Sequence, residues 1–491
     1  MQDPINISEN ISDKSFVQYR TNFGVNLGGC FVREKWMFEN SMMGDEWNHK
    51  TELQALKLEV GARNHDGARD FLENFWRGFM NDGDWDWIRS KGMNSVRVPI
   101  GYWNIDGGNF TGGTKFAPYA DIYRNSWQIF KSHFIEAAAR FNISVLVDVH
   151  ALPGGANADS HSGEEHTADF WWDEGKQGLM VDAVRFIARD LRGYNNISGI
   201  QIVNEAMDVK PKDSLYRYYE RAMRAIREED NSVPVVISDG WWTPNFTGWI
   251  KNLQGDDQNF GFILDAHCYR MVTGEDKGKS AQQITDDLEG DFVNGSKFIT
   301  DEEKKVVDLM LGEFTCVLSG ESWSHSGVNP GERNDPGRRE LAARFGRKQI
   351  ELALKRTPAA IYFWSYKFPY DWGEWDAREV FNGYIGAPSV SMPPGGLFEE
   401  LRDGEYNGHI KYWTDKGLNY DFDRYKLGFE AGWSDAYAFA ERGAMVGRKQ
   451  ALKFARKQQH IRERGNLGDI WQFEQGYDKA LEHFANRCYR T

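Results

Sequence analysis

The sequence has no uninterrupted apolar run that approaches the roughly 20 residues needed to cross a bilayer, so we predict no membrane span. The segment Met1–Arg20 is polar and lacks the apolar stretch of a secretory signal, which predicts a cytoplasmic protein. Sequons such as Asn109-Phe-Thr and Asn245-Phe-Thr would suit a secreted glycoprotein and keep secretion as the alternative. Cysteine is scarce: positions 30, 268, 316 and 488 have neither metal-ligand nor disulfide-framework spacing, so we expect reduced thiols and no metal.

A surplus of positive charge is also missing. The chain has 73 acidic and 59 basic residues, with a formal net charge of -14, which argues against nucleic acid or an anionic membrane as a partner. No glycine-rich loop follows the dinucleotide-binding pattern, so we expect no cofactor. Aromatic residues, by contrast, are abundant: 19 Trp, 20 Tyr and 31 Phe. Such rings fill a large core or, where exposed, stack on the flat faces of sugars.

Short apolar segments recur through the first three quarters of the chain, separated by helical patterns. Segments such as SVLVDV and PVVIS are continuously apolar, as in parallel strands covered on both faces. Eight such strands alternating with helices predict the α/β class and a (β/α)8 barrel. We place the strands at Phe23–Gly29, Asn94–Ile100, Ile143–His150, Ser198–Glu205, Pro234–Gly240, Phe262–Tyr269, Val307–Phe314 and Ala359–Tyr366. Predicted helices between them include Ser126–Phe141, Met180–Tyr194 and Leu215–Glu229.

Two additions accompany the predicted barrel. A long insertion, from Phe31 to about Trp85, follows the first strand and is expected to build one wall of a pocket. The segment FNGYIGAPSVSMPPGG is rich in Gly and Pro and ends the barrel. We therefore predict a catalytic barrel over residues 1–385 and a linker with a helical C-terminal extension over 386–491.

The predicted extension contains two similar segments, GFEAGWSDAYAFA (428–440) and QFEQGYDKALEHFA (472–485). Two copies are too few for a repeat protein. We expect the extension to pack on the barrel or to mediate self-association rather than to take part in catalysis.

Polar residues in the predicted strands fall at or near the carboxyl ends. That is the face on which barrel enzymes carry their active sites. One carboxylate there is explained by an ion pair, but the convergence of many polar groups on one rim predicts an active site. The residues are Arg97, His150, Asn204, Glu205, His267, Tyr269, Glu313 and Trp364.

Two of these residues are carboxylic acids. Glu205 ends the fourth predicted strand and Glu313 the seventh, so a closed barrel brings them to opposite sides of one cavity. Cleavage of an acetal needs a proton for the leaving oxygen and stabilisation of a cationic sugar, and paired carboxylates supply both. In a retaining mechanism the two carboxyl groups lie about 5 Å apart. The pair predicts a retaining glycoside hydrolase.

The other six residues suit supporting roles around a bound sugar. Asn204 can donate a hydrogen bond to a sugar 2-hydroxyl. Arg97 and Tyr269 can hold Glu313 ionised, by charge and by a hydrogen bond respectively. We expect His267 near Glu205, His150 on a sugar hydroxyl and Trp364 as a stacking floor.

The chain resembles glycoside hydrolase family 5 and, within it, the fungal exo-β-1,3-glucanases. The resemblance runs in order through about residues 20–370. It is carried by GVNLGG (24–29), SVRVPIGYW (95–103), VLVDVHALPGGANADSHSG (145–163), IQIVNEA (200–206), DAHCY (265–269), LGEF (311–314) and YFWSYK (362–367).

The resemblance implies a TIM barrel in which Glu205 is the acid/base and Glu313 the nucleophile, with the other six residues in the family's supporting positions. Three residues depart from the family pattern: Ala206 replaces a proline, Cys30 a tryptophan and Cys268 a histidine. We expect the two cysteines to lie in the pocket wall and to affect specificity.

The implied activity is release of terminal glucose from β-1,3-glucan or a related β-glucoside. One alternative keeps the mechanism and changes the substrate to a glucosylated lipid or a β-1,6-glucan. Another is a barrel without catalysis that only binds carbohydrate, which the presence of both glutamates disfavours. The extension is absent from typical secreted members, so the chain looks like an intracellular branch of the group.

Overall fold

The computed structural model forms two compact units, residues 22–387 and residues 388–491 together with the chain up to residue 21. Residues 39–50 of the predicted insertion lie outside the described part. The described residues are 11–38, 51–164, 168–253, 261–293, 295–296, 299, 307–369, 372–465 and 468–491.

The first unit is a closed barrel of parallel strands, which confirms the predicted fold. The strands are β1 (Asn22–Asn26), β2 (Ser95–Gly101), β3 (Ser144–Ala151), β4 (Ile197–Gln201), β5 (Val235–Ser238), β6 (Phe262–Cys268), β7 (Asp308–Phe314) and β8 (Ala360–Phe363). Each pairs with the next in sequence order, and β1 closes the barrel against β8, with Phe23 opposite Ile361. Every residue of these strands is buried, which explains their continuous apolar character.

Helices follow the strands along the chain. They are α1 (Asp13–Tyr19), α2 (Lys35–Phe38), α3 (Glu52–Phe79), α4 (Asp82–Ser90), α5 (Ser126–Phe130), α6 (Glu136–Arg140), α7 (Glu174–Leu191), α8 (Asp213–Glu229), α9 (Thr247–Leu253), α10 (Gly274–Lys277), α11 (Ala281–Asp291), α12 (Gly320–His325), α13 (Pro336–Arg356), α14 (Ala377–Gly383), α15 (Leu397–Thr414), α16 (Asp423–Glu441), α17 (Lys449–Arg464) and α18 (Ile470–Cys488). A π-helical turn joins α5 to α6, so the predicted helix over Ser126–Phe141 is one continuous helical segment. Helix α7 begins earlier than predicted because the Asp173 side chain caps it by accepting from the Lys176 N–H.

Side chains along the barrel strands alternate between two apolar cores. One core consists of residues such as Leu146, Val236 and Met310. The larger core contains the strand neighbours of these residues, such as Val145 and Val147, together with apolar residues of the surrounding helices.

The expectation that Cys30 and Cys268 line the pocket is wrong. Both thiols are buried in the larger core. Cys268 lies between His267 and Tyr269 on β6, and strand alternation turns its side chain away from theirs. Burial raises the pKa of Cys268 to about 12, so the thiol stays protonated. All four cysteines are free.

The insertion after β1 is held by a buried ion pair. Glu52, at the start of α3, accepts hydrogen bonds from the Arg33 backbone N–H at 3.0 Å and from Arg33 Nε at 2.9 Å. The Tyr123 hydroxyl donates to the second oxygen of Glu52 at 2.9 Å. Because an unpartnered charge inside a protein is costly, these contacts fix the path of the chain on both sides of Arg33, including its neighbour Glu34.

The second unit contains α1 and the helices α15 to α18. Its core is rich in aromatic rings, including Phe16, Phe429, Trp433, Tyr477 and Phe484. Strands β9 (Ser389–Val390) and β10 (Tyr489–Arg490) form a small antiparallel sheet. Among the helices of the described chain, none combines the length and the apolar character that a membrane crossing requires.

The two similar segments of the extension form α16 and α18, which pack closely through glycines. A Cβ atom at Gly428 would lie 2.0 Å from the Phe473 carbonyl oxygen, and one at Gly476 would lie 2.0 Å from the Tyr425 carbonyl oxygen. Both positions therefore require glycine for steric reasons, although glycine lowers helix propensity.

We predict that Gly428→Ala lowers the free energy of unfolding by about 1–3 kcal/mol, because the added methyl group forces α16 and α18 apart. Gly404→Ala is the matched control: Gly404 lies in α15, and its Cβ would meet nothing within 4 Å. That change is expected to be neutral or to stabilise by up to ~1 kcal/mol through helix propensity. Denaturant unfolding measures both, and equal effects of the two substitutions would contradict the close packing.

Candidate active site

The structure brings all eight predicted site residues together at the carboxyl ends of the barrel strands. Hydrogen bonds and ring contacts join them into one network. All but Tyr269 are buried, and Tyr269 is half-buried. The eight side chains therefore meet at one face of the barrel.

Arg97 on β2 is the centre of the network and is 0% exposed. Its guanidinium donates to Glu313 Oε1 at 2.8 Å and to Asn204 Oδ1 at 2.6 Å, and it lies 2.9 Å from Asp148 Oδ2. Burial opposes the positive charge, but Asp148 and Glu313 more than offset it and hold the pKa of Arg97 above its ordinary value. Arg97 is therefore a permanent cation between two carboxylates.

The network extends from Arg97 along β3 to the ring of Trp364. Asp148 Oδ2 lies 2.6 Å from His150 Nδ1, and His150 Nε2 faces the Asn204 amide nitrogen at 3.4 Å. The rings of His150 and Trp364 are stacked, with centroids 5.8 Å apart and an interplanar angle of 12°. The tryptophan predicted as a stacking floor is only 4% exposed.

Glu313 on β7 receives a donor at each carboxylate oxygen. Arg97 binds Oε1, and the Tyr269 hydroxyl donates to Oε2 at 2.6 Å. Burial and the charge of Glu313 raise the pKa of Tyr269 well above its ordinary value, so the phenol keeps its proton and donates. The two donors therefore fix the orientation of the Glu313 carboxylate.

Glu205 lies beyond the end of β4, which stops at Gln201, earlier than predicted. Its backbone φ is 42°, a left-handed conformation that is uncommon for a residue with a side chain. Neighbouring side chains hold this turn: Asn157 donates to the Glu205 carbonyl at 2.7 Å, and Ser238 Oγ accepts from the Ala206 N–H at 3.1 Å. Backbone strain held in this way is typical of functional sites.

His267 on β6 is surrounded by carboxylates. Its Nδ1 lies 2.7 Å from Glu205 Oε1 and 3.6 Å from Glu313 Oε2, and its Nε2 lies 3.1 Å from Asp265 Oδ2. Burial disfavours the charged ring, but Glu313, Asp265 and Glu205 together raise the pKa of His267 well above its ordinary value. We infer that the ring is protonated on both nitrogens.

The pKa of Glu205 is shifted in the opposite direction. Burial raises it, but His161, His267 and His150 together lower it below its ordinary value. His161 Nε2 lies 3.2 Å from Glu205 Oε2, on the side of the carboxylate opposite His267. The two opposite shifts place the proton on histidine and leave Glu205 ionised.

One carboxylate oxygen of Glu205 and one of Glu313 lie within 4.8 Å of one another, and a ring nitrogen of His267 lies within the same distance of both. Two carboxylates so close match the separation of about 5 Å found in retaining glycosidases, and inverting enzymes need more room for a water molecule. The arrangement suits attack by one carboxylate and proton transfer by the other.

Sequence reasoning missed residues that support the predicted ones. Asp148 and Asp265 each precede a predicted histidine by two positions, and the period of a strand places both members of such a pair on one face. That spacing is a signal that predicts them. Gln201 is also missed; it accepts from Arg97 Nε at 2.9 Å and donates to Asp265 Oδ2 at 2.8 Å.

Two further titratable residues, Glu34 and His161, lie on loops. Neither stands two positions from a predicted site residue on a strand, so the sequence spacing does not predict them. Glu34 follows β1, is 4% exposed and accepts from Trp36 Nε1 at 2.9 Å. Burial raises the pKa of Glu34 against the pull of His161 and His150. Burial lowers the pKa of His161, but Glu205 and Glu34 raise it above its ordinary value.

The steric requirement at Gly312 explains the glycine of the LGEF segment. A Cβ atom there would lie 2.2 Å from Asp265 Oδ1, which accepts the Gly312 N–H at 2.8 Å. Any side chain would therefore displace the carboxylate that holds His267.

Comparison with known families gives two matches along the chain. The model described as cellulase (glycosyl hydrolase family 5) matches residues 62–322. The model described as the C-terminal domain of glucan 1,3-beta-glucosidase 3 matches residues 398–488.

Similar proteins cover nearly the whole chain. Glucan 1,3-beta-glucosidase 3 of Schizosaccharomyces pombe is 30% identical over 95% of this chain and 95% of its own length. An uncharacterized glycosyl hydrolase of Saccharomyces cerevisiae is 28% identical over 97% of this chain and 93% of its own length. Among solved structures, the rutinosidase of Aspergillus niger has a TM-score of 0.58 at 15% identity, covering 76% of this chain and 99% of its own, which bears on the fold alone.

The opposite pKa shifts of His267 and Glu205 predict a pH window for stability. Because the pKa of His267 is raised by folding, its contribution to stability is complete below about pH 6.5 and is lost as the pH rises towards the folded pKa. Because the pKa of Glu205 is lowered by folding, its contribution is complete above about pH 4.5 and is lost as the pH falls. The melting temperature of the unsubstituted protein should therefore exceed that of His267→Gln most between about pH 4.5 and 6.5.

The control is His325→Gln, at an exposed position of α12. If the difference in melting temperature between the unsubstituted protein and His267→Gln stays constant from pH 4 to about pH 9, His267 and Glu205 do not form a charged pair.

Proposed function

The chain belongs to glycoside hydrolase family 5, and from that premise we propose that it is a retaining exo-β-glucosidase with Glu205 as acid/base and Glu313 as nucleophile. The observation that carries the proposal is the short distance between the two carboxylates, whose oxygens approach within 4.8 Å. Their opposite surroundings separate the roles: Glu313 is bound by the permanent cation Arg97, and Glu205 by the titratable ring of His267.

In the first step, Glu313 attacks the anomeric carbon while Glu205 protonates the departing oxygen. The Arg97 and Tyr269 donors hold the two oxygens of Glu313 in place for this attack. Arg97 holds the amide oxygen of Asn204, and the amide nitrogen has two hydrogens, one facing His150 and the other for the sugar 2-hydroxyl. A covalent glycosyl-enzyme results, and the aglycone leaves with the proton.

The proton for this step comes from His267. Before a substrate binds, this proton lies on Nδ1, 2.7 Å from Glu205 Oε1, and a bound substrate excludes water and favours the neutral acid. Transfer from His267 to Glu205 and on to the glycosidic oxygen then accompanies bond cleavage. In the second step Glu205 takes a proton from water, which attacks the anomeric carbon and displaces Glu313 from it. Glucose of unchanged configuration leaves, and the proton passes from Glu205 back to His267 Nδ1.

A terminal β-1,3-linked glucose is the proposed substrate group. The support is the similarity over 95% of the chain to a protein named glucan 1,3-beta-glucosidase 3, including the match to its C-terminal domain. Glu34, buried beside His150 and His161, offers a carboxylate acceptor for hydroxyls of that sugar. A glucosylated lipid or a β-1,6-glucan remains the second candidate from sequence.

We expect laminaribiose to be hydrolysed faster than gentiobiose or glucosylceramide, with β-glucose as the first product seen by NMR. Glu313→Gln should reduce turnover to background without unfolding the protein, because it removes the nucleophile's charge and preserves its shape. Glu340→Gln, on the surface of α13, is the matched control. Near-normal activity of Glu313→Gln rules out the assigned nucleophile, and α-glucose as the first product rules out retention.

For Glu205→Ala we expect strong loss on laminaribiose and partial rescue by azide on 2,4-dinitrophenyl β-glucoside. Its good leaving group needs no acid, and azide replaces the water that Glu205 would activate. The product should be β-glucosyl azide. Formation of the α-glucosyl azide by Glu205→Ala would reject Glu205 as the acid/base. Rescue of Glu313→Gln to the β-azide would reverse the two roles.

A further inference from the structure

His161 lies beside the acid/base residue and has no part in the steps proposed above. Its Nε2 is 3.2 Å from Glu205 Oε2, whereas His267 contacts the other oxygen of the same carboxylate. The His161 side chain is only 13% exposed, so water screens its interaction with Glu205 weakly. A titratable ring at this position acts directly on the residue that transfers the proton.

Asn157 faces the same ring nitrogen of His161. Its Oδ1 accepts from the Asp159 N–H at 2.9 Å and from the Ser162 hydroxyl at 2.7 Å. Its Nδ2 is therefore the end that donates to the Glu205 carbonyl at 2.7 Å and lies 2.9 Å from His161 Nε2. The ring nitrogen of His161 thus lies between an amide donor and a carboxylate acceptor.

The protonation state of His161 decides which of these two partners it binds. A protonated ring donates from Nε2 to Glu205 Oε2. Because Asn157 offers a hydrogen to Nε2, the neutral ring keeps its own hydrogen on Nδ1 and accepts from Asn157. His161 therefore holds the Glu205 carboxylate only while the ring is charged.

The loop between β3 and α7 is also fixed beyond His161. A Cβ atom at Gly163 would lie 2.1 Å from the ring of Trp103, so the chain passes there only as glycine. The next residue, Glu164, is buried and accepts from the Tyr102 hydroxyl at 2.8 Å. These contacts give the His161 ring a defined position before a substrate binds.

Charged and titratable groups surround His161 from several elements. They are Glu34 after β1, His150 on β3, Asp159 on its own loop, Glu205 after β4 and Glu313 on β7. Burial lowers the pKa of His161, but Glu205 and the other carboxylates raise it above its ordinary value of about 6.5. His267 lies within 3.6 Å of three carboxylates, and its pKa is raised further, so His161 loses its proton at the lower pH.

We propose that His161 is a positioning residue for the acid/base: its Nε2–H holds Glu205 Oε2 while Oε1 exchanges a proton with His267. This proposal rests on the proposed function. Oε2 accepts the hydrogen bond whether Glu205 is ionised or carries its proton on Oε1, so the contact lasts through proton transfer. Holding one oxygen limits rotation of the carboxyl group and keeps the other aimed at the glycosidic bond.

The test compares two aryl glucosides that differ in their need for an acid. Phenyl β-glucoside has a poor leaving group and needs the proton, whereas 2,4-dinitrophenyl β-glucoside does not, and kcat/KM reports the bond-breaking step for both. In His161→Gln the amide oxygen replaces the acceptor for Asn157 and the amide nitrogen replaces the donor to Glu205, at every pH. His161→Ala removes both contacts.

For the unsubstituted enzyme we expect kcat/KM on phenyl β-glucoside to fall as the pH rises through the pKa of His161. In His161→Gln this fall should move to higher pH by about half a unit or more, because the donor to Glu205 no longer titrates. His161→Ala should lose about tenfold on phenyl β-glucoside at pH 6, the effect of one hydrogen bond to a charged group. On the dinitrophenyl substrate it should stay within about twofold of the unsubstituted enzyme.

His65→Gln and His65→Ala are the matched controls. His65 pairs with Asp121 at 2.9 Å on the surface and has no described contact with the eight site residues, so both profiles should be unchanged. A pH profile of His161→Gln that superimposes on that of the unsubstituted enzyme overturns the proposal, even if His161→Ala fails to fold. Equal losses of His161→Ala on the two glucosides overturn it too, since they would make His161 a structural part of its loop.

The proposed function fails separately. If the unsubstituted enzyme cleaves neither aryl glucoside, the glucosidase assignment is wrong and the role of His161 falls with it. If it cleaves both but not laminaribiose, only the β-1,3 linkage is rejected, and the two pH profiles still decide the role of His161.

Discussion

The site depends on one fully buried guanidinium. Arg97 cannot be solvated where it lies, so its charge is stable only among partners contributed by the surrounding strands. It contacts Asn26 of β1, Asp148 of β3, Glu313 of β7 and the segment that contains Gln201 and Asn204. The cation and the closed barrel therefore require each other. The barrel brings the partners to one point, and the cation makes the burial of two carboxylates beside it possible.

A second charged centre lies on the other side of the site and differs in kind. His267 can lose its proton, whereas Arg97 cannot, and each faces one of the two glutamates at hydrogen-bonding distance. The fold thus gives Glu205 and Glu313 different chemistry, because a different charged side chain lies beside each carboxylate. Glu313 faces a fixed cation, whereas Glu205 faces a ring that can give up a proton, and this is the difference that the proposed roles need.

The sequence predicted the barrel and the convergence of eight residues, because strand ends in a closed parallel barrel share one face. The exact strand ends were less predictable. Ile202 and Val203 continue the apolar pattern of β4 towards Glu205, yet the left-handed backbone of Glu205 is held by Asn157 and Ser238 from distant segments. A family position alone does not tell which face of a strand a side chain takes, and alternation along β6 turns Cys268 outward into the larger core. Glu34 and His161 meet the site through loop paths that no local pattern encodes.

Gln201 joins the two charged centres. Its carbonyl end faces the guanidinium of Arg97 and its amino end faces the carboxylate of Asp265, so the side-chain dipole has a single orientation that satisfies both. Rotation of that amide by half a turn would set donor against donor and acceptor against acceptor. The electric polarity of the barrel mouth is therefore determined before any sugar arrives, and little reorganisation of protein dipoles is left to accompany bond cleavage.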